Sequence, residues 1–183
     1  MGTSTKFISL ITDFGNKDGF VGIMKGVMLK INPNLQFIDI SHEVKSFDLF
    51  NGAFLVERSL NFFPENAIHL VIVDPGVGTS RLPIIVSTKL GIFVGPDNGV
   101  LTPVIENRDL FIEAREIRNE KYFLESISCN FHGRDIFAPV AAHLSLGEEL
   151  KNFGPALKQP VTLHLTKPKV RSSEIKGEVV YID

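Results

Sequence analysis

The chain has 183 residues, 44% hydrophobic and 22% charged, with 19 basic against 21 acidic side chains and a formal net charge of -2. These proportions exclude disorder and describe an ordinary globular domain, long enough to bury about 70% of its unfolded surface without a disulfide or a metal. The balanced charge offers no basic patch for nucleic acid or an anionic membrane, and no apolar run reaches the roughly 18 residues a bilayer span needs. Cys129 is the single cysteine, which rules out a disulfide framework and fits a reducing cytoplasm. Met1 to Lys6 is polar and has no apolar signal core.

The first apolar run, Phe7 to Ile11, reads as a strand followed by a loop at Thr12 to Asn16. Phe20, Met24, Val27 and Ile31 recur at helical spacing, and Asn32-Pro33-Asn34 stops that helix. Leu35 to Ile40 is a second strand, and Leu49, Ala53, Val56 and Leu60 mark a second helix closed by Pro64-Glu65-Asn66. Ala67 to Val73 is an almost wholly apolar strand, and Pro83 to Ser87 and Gly91 to Val94 are two more, joined by a tight turn at Lys89-Leu90. Gly99 to Glu106 reads as a short helix and Gly133 to Leu146 as a longer one with Ile136, Val140 and Leu144 on one face. Pro155 to Lys169, with three of the ten prolines, reads as a linker or edge region, and Ile175 to Asp183 as a strand just beginning. Buried strands alternating with amphipathic helices predict an α/β fold: a mostly parallel central sheet in a three-layer α/β/α sandwich.

Ligands of such sheets bind at the carboxyl ends of the strands, and the polar residues of this chain collect there. Asp13, Gly15 and Asp18 follow the first strand, Asp74 to Arg81 the third and Gly95 to Gly99 the fifth, while Phe131-His132-Gly133-Arg134-Asp135 precedes the last helix. Singly, each has a plain structural explanation: Asp13 as a turn cap, Asp97-Asn98-Gly99 as a tight turn, His132 as a helix-terminal residue, Arg81 and Arg134 as surface charges. Together on one sheet edge they read as a site.

The residue types leave several chemistries open. Gly76-Val77-Gly78 is half a phosphate-binding turn without the rest. Asp13, Asp18, Asp74 and His132 are suitable ligands for a divalent metal, but no close-spaced ligand pair accompanies them. Cys129 lies three residues before His132, with no second element to place a base beside a thiol nucleophile. An Asp, an Arg and a His converging on one water would instead accept or hold a proton and stabilise hydroxide.

Four motifs carry a resemblance. ITDFGNKDGFVGIMKG (Ile11 to Gly26), VDPGVGTSR (Val73 to Arg81), GPDNG (Gly95 to Gly99) and FHGRDIFAPVAAHL (Phe131 to Leu144) occur in order, and together resemble the S-adenosylmethionine hydroxide adenosyltransferases. These are hydrolytic relatives of the fluorinating and chlorinating adenosyltransferases. The resemblance implies attack of water or hydroxide on the 5′ carbon of S-adenosylmethionine, releasing adenosine and methionine, with S-adenosylmethionine as substrate and neither cofactor nor metal. It implies catalytic roles for Asp74, Arg81 and His132, of which the Asp and His are not retained in the halogenating relatives. The halogenating relatives' extra loop is also absent from the compact stretch between Arg81 and Gly95. Asp13 would hold the ribose hydroxyls, Phe47 would stack on adenine unless it is simply a core residue, Phe131 would line the ribose and sulfonium side, and Asp18 would approach the methionine end. The family carries a second, smaller β-barrel domain and assembles as a homotrimer with the substrate between subunits. On that reading residues 1–170 are the catalytic α/β domain, 171–183 the linker and first strand of a barrel otherwise missing from this chain, and the protein is cytoplasmic. Two other readings compete: a metal-dependent nucleoside or phosphate-ester hydrolase, and a non-catalytic trimeric module that binds an adenosyl ligand.

Overall fold

A computed structural model describes residues 6–166 and 168–182. Six strands form one sheet in the order β2-β1-β3-β5-β4-β6: β1 (Lys6–Thr12), β2 (Leu35–Ser41), β3 (Ile68–Ile72), β4 (Pro83–Thr88), β5 (Gly91–Pro96) and β6 (Phe111–Glu116). β1, β2, β3 and β5 pair in parallel, and β4 alone runs against its neighbours β5 and β6. The helices are α1 (Phe20–Ile31), α2 (Leu49–Ser59), the single turn α3 (Thr102–Ile105) and α4 (Ala138–Ser145).

Alternate residues of a strand face opposite sides of the sheet, and here both sides are apolar. Ile8, Leu10, Leu70 and Ile72 pack against Met24 and Met28 of α1 and Val140, Ala141 and Leu144 of α4. Ile11, Val71, Val73 and Phe93 pack the other way, with Val56 of α2 and Val100 and Val104 around α3. The expectation of a mostly parallel sheet flanked by helices therefore agrees with the structure. Among the described residues no helix is long and apolar enough to cross a membrane.

Three expectations need correction. The short helix predicted over Gly99 to Glu106 begins only at Thr102, because Gly99 has φ +96° and its carbonyl accepts from the Thr102 hydroxyl as a turn. The strand predicted from Ile175 onward spans only Ile175–Lys176 (β8), paired with Lys169–Val170 (β7). Residues 177–182 form no ladder among the described residues, and Asp183 lies outside them. β6 was not foreseen. Its sequence, FIEARE, carries three charges, and at the edge of the sheet only Ala114 is buried.

The predicted edge region does run along the sheet. Glu116 N donates to Pro155 O, and Leu157 N to Ala114 O. Val161 N donates to the Asp97 carboxylate and Leu163 N to the Thr102 hydroxyl, while Asn98 Nδ2 donates to Val73 O. Asp97-Asn98-Gly99 is thus a structural joint, as turn chemistry implied.

His69, in the middle of β3, is 2% exposed, accepts or donates at Nδ1 with the Ser9 hydroxyl at 2.7 Å and stacks on Phe93. Burial pushes its pKa down to about 4. The unfolded chain therefore binds this proton near pH 6.5 and the folded one only near pH 4, so stability is complete above 6.5 and falls between those values. Urea denaturation across that window will show a loss of roughly 3 kcal/mol attributable to His69, and His69→Asn will flatten the profile. An unchanged profile in the variant would contradict this assignment.

Candidate active site

The loop leaving β3 and entering β4 begins and ends at the same edge of the sheet, because β4 is antiparallel. Its residues 74–82 form a tight coil: Val77 N donates to Asp74 O, Thr79 N to Gly76 O, and the Thr79 hydroxyl to Gly76 O at 2.6 Å. Two glycines make this possible. A Cβ on Gly76 would stand 3.1 Å from Arg81 Cγ; Gly78 has φ +75°, and a Cβ there would lie 2.3 Å from the Cys129 carbonyl. The coil folds the Arg81 side chain back onto Asp74.

The resulting contact is close. Arg81 Nε donates to both Asp74 oxygens at 3.0 and 2.9 Å, and Nη2 donates to Oδ2 at 2.5 Å. The two side chains are 8% and 5% exposed. Nη2 also lies 2.9 Å from Nδ1 of His132. Arginine has no acceptor, so Nδ1 must accept, and the neutral imidazole carries its proton on Nε2. Nε2 makes no hydrogen bond among the described residues. Burial, followed by the Arg81 charge, pushes the His132 pKa below its ordinary 6.5, so the ring is neutral at pH 7. The guanidinium also lies over the Phe137 ring, 5.1 Å from its centroid.

Asp13 leaves β1 at the same edge. Thr12 Oγ1 pairs with buried His42 Nδ1 at 2.9 Å and accepts from Phe14 N, which holds the turn. The Asp13 carboxylate accepts from Phe47 N at 2.8 Å. Burial, with a smaller contribution from the Asp74 charge, raises the Asp13 pKa. Phe47 has φ +64°, a left-handed backbone that costs of order 1–3 kcal/mol for a bulky residue and recurs at ligand sites. The residue is 63% exposed, which excludes the alternative that it is a core phenylalanine.

Asp13, Phe47, Asp74, Phe131 and His132 line one cleft of about 320 Å³, at the lower end of the range for small-molecule sites. Arg81 stands behind Asp74 and His132. Asp18 does not reach the cleft: it is exposed on the loop before α1, and Phe20, two residues on, takes the wall position instead. Phe14, Phe20 and Phe131 meet edge-on or tilted, with ring centroids 5.1–6.0 Å apart, as an aromatic wall. Sequence reasoning assigned Phe20 only to a helix face and overlooked Phe14, although both lie within the first motif. Among the described residues no three His, Cys, Asp or Glu side chains converge as a metal-binding group. A larger groove, about 950 Å³, lies between α2, α3 and residues 165–180, away from this constellation.

A sequence profile for the S-adenosylmethionine hydroxide adenosyltransferase N-terminal domain matches residues 8–154. The chain belongs to this family. A (R)-S-adenosyl-L-methionine hydrolase from Salinispora tropica is 39% identical over 181 residues, covering 98% of this chain and 69% of the relative. A fluorinase from an Actinoplanes species is 28% identical, over 96% of this chain and 67% of its own length. The crystal structure of an uncharacterized conserved protein from Thermotoga maritima superposes with a TM-score of 0.89 at 44% identity, covering 96% of this chain and 67% of that one. The chain thus spans about two thirds of the length of each of these relatives.

The geometry makes a direct prediction. Nitrogen-detected NMR at pH 7 will find His132 as the Nε2–H tautomer with a titration midpoint below 6.5, and Arg81→Met will move the midpoint up and release the tautomer. A ring protonated on Nδ1, or a midpoint indifferent to Arg81, would refute the contact.

Proposed function

We propose that this protein hydrolyses S-adenosylmethionine to adenosine and methionine. The observation that carries the reading is a guanidinium held between the Asp74 carboxylate and Nδ1 of His132, behind a cleft of nucleoside-compatible size, in a chain closer to the hydrolase than to the fluorinase. Asp13 holds the ribose diol, Phe47 offers an exposed ring to adenine, and Phe131 lines the ribose and sulfonium side.

The reaction joins a water oxygen to the 5′ carbon, breaks the carbon–sulfur bond with its electron pair going to sulfur, and releases one proton. A sulfonium and a hydroxide lose their charges as they meet, so a desolvated cleft favours the transition state over bulk water. Forming the hydroxide is the demanding step, because bulk water has a pKa of about 15.7. The Arg81 charge, not screened by water, lowers the energy of hydroxide nearby. Asp74 fixes the guanidinium, and Nη1 of Arg81 retains both its donors among the described residues. His132 holds its proton rather than taking one, since Arg81 occupies Nδ1; its Nε2–H donates to the incoming oxygen and aligns it. No step requires a cofactor.

The family resemblance supports the remaining parts of this proposal: a second domain opening at residues 171–183, a homotrimer with substrate between subunits, and a cytoplasmic enzyme. Assayed on the full reading frame that encodes this chain, reaction in ¹⁸O-water will yield equal adenosine and methionine, with the label in the adenosine 5′ hydroxyl. Since hydroxide is held and not generated on the imidazole, kcat/KM will keep rising from about pH 7 to about pH 9 instead of levelling above the His132 midpoint. Intact substrate, or label in methionine, would rule out the reaction; a plateau from pH 7 would make His132 the base.

A further inference from the structure

We propose that Asp135 is a positioning residue, which through Ser128 fixes the loop carrying Phe131 and His132 against the coil carrying Arg81. Asp135 is fully buried in a π-turn (Gly133–Phe137) that runs directly into α4. Turns of this kind are uncommon and cluster at functional sites. A buried carboxylate needs partners, and this one has four bonds. Oδ2 accepts from Ser128 N at 2.8 Å and from the Ser128 hydroxyl at 2.7 Å. Arg134 Nε donates to Oδ1 at 2.6 Å and its Nη2 to Oδ2 at 3.2 Å.

The tie continues into the site. Ser128 Oγ accepts from Phe131 N at 3.1 Å. Arg134, held by Asp135, lies over the Phe131 ring, 5.1 Å from its centroid. One carboxylate therefore restrains both ends of the segment 128–131 and the ring that walls the cleft. Between those ends lies Cys129, whose carbonyl occupies the space a Cβ on Gly78 would take. The two loops are seated on each other there, and the Arg81–His132 contact lies at the far end of the same pair of loops. Release of Ser128 frees the 128–132 segment to withdraw from Gly78, and His132 from Arg81. The carboxylate touches no cleft surface, so its effect passes through other residues.

The role is assigned on the reading of the cleft as the hydrolytic site, but two of its tests need no substrate. Ser128→Ala keeps the backbone donor to Asp135 and removes the hydroxyl link; the exposed Cys129 thiol reports on the loop. In folded Ser128→Ala, Cys129 will react faster with a thiol reagent, and the His132 ring will no longer be a single Nε2–H tautomer. In the full-length enzyme kcat will fall about ten- to a hundredfold, the scale of a displaced catalytic group, with KM changed less than about threefold. Ser128→Thr, which keeps the hydroxyl, will restore all three readings, and Asp135→Asn, where it folds, will repeat the faster thiol reaction and the mixed tautomer, because its amide cannot accept both Ser128 donors and both Arg134 donors as the carboxylate does. If Ser128→Ala keeps the wild-type thiol reactivity, tautomer and kcat, the proposal is overturned. A uniform loss of stability with unaltered kcat per folded molecule would equally overturn it, because that is the signature of a structural residue alone. Failure of the wild-type chain to hydrolyse S-adenosylmethionine would instead count against the function and leave the thiol and tautomer readings to decide the positioning role.

Discussion

Arg81 and Asp74 are both almost out of contact with water, and neither could carry its charge there alone. Removing an ion of this kind from water costs several kcal/mol even after the protein relaxes, and the cost is offset only where geometry and hydrogen bonding are close to ideal. Here the fork of the guanidinium meets both carboxylate oxygens, and its remaining Nη2 proton goes to His132. Much of the local architecture serves that pairing. The reversed direction of β4 returns the chain to the edge it left, so seven residues suffice to bring Arg81 back over Asp74. Gly76 and Gly78 let the coil close, and the Cys129 carbonyl brings the histidine loop onto it.

The pair also decides what His132 can do. Carboxylate beside imidazole is the arrangement of a general base, because the carboxylate fixes the proton on the far nitrogen's partner and frees the other to accept. Guanidinium beside imidazole has the opposite effect: it consumes the lone pair on Nδ1, keeps the proton on Nε2 and disfavours a second proton. The ring becomes a neutral donor. Such a site suits a nucleophile that arrives as an anion and a substrate that arrives as a cation, since the chemistry then consists of desolvating and aligning two opposite charges. The exposed Phe47 and the wall of Phe14, Phe20 and Phe131 place apolar surface at the same cleft.

Much of this was legible in the chain itself, for identifiable reasons. β1, β3 and β5 are apolar on both faces or nearly so, β2 carries the apolar residues Leu35, Phe37, Ile38 and Ile40, and α1 and α2 have well-spaced apolar positions and clear stops, so the pattern located them closely. β6 escaped because an edge strand can carry Glu113 and Arg115 on one face and Glu116 on the other and still pair; its hydrogen bonds to β4 are the deciding contribution, and no local pattern announces them. Asp13 and Asp74 stood out because they follow strands, whose carboxyl ends are where such sheets bind ligands, and the structure brings them together with His132 around one cleft. Asp18 marks the limit of that rule: a loop residue near a strand end can still face solvent, here on a turn with Gly15 and Gly19 both at positive φ. The left-handed φ of Phe47, the π-turn at Gly133 and the buried tie between Asp135 and Ser128 depend on contacts distant in sequence or on backbone states that residue identity alone does not specify.

If a single buried pair organises the site, its two members act as one unit. The direct measurement is a double-mutant cycle on kcat/KM for S-adenosylmethionine hydrolysis, with Asp74→Asn, Arg81→Met and the double variant. Each single change is expected to cost about a hundredfold or more, and the double variant no more than the poorer single, because the second substitution removes a partner already disabled. Losses that multiply, or single variants within about twofold of wild type, would show that Asp74 and Arg81 act independently or not at all, and would contradict the account.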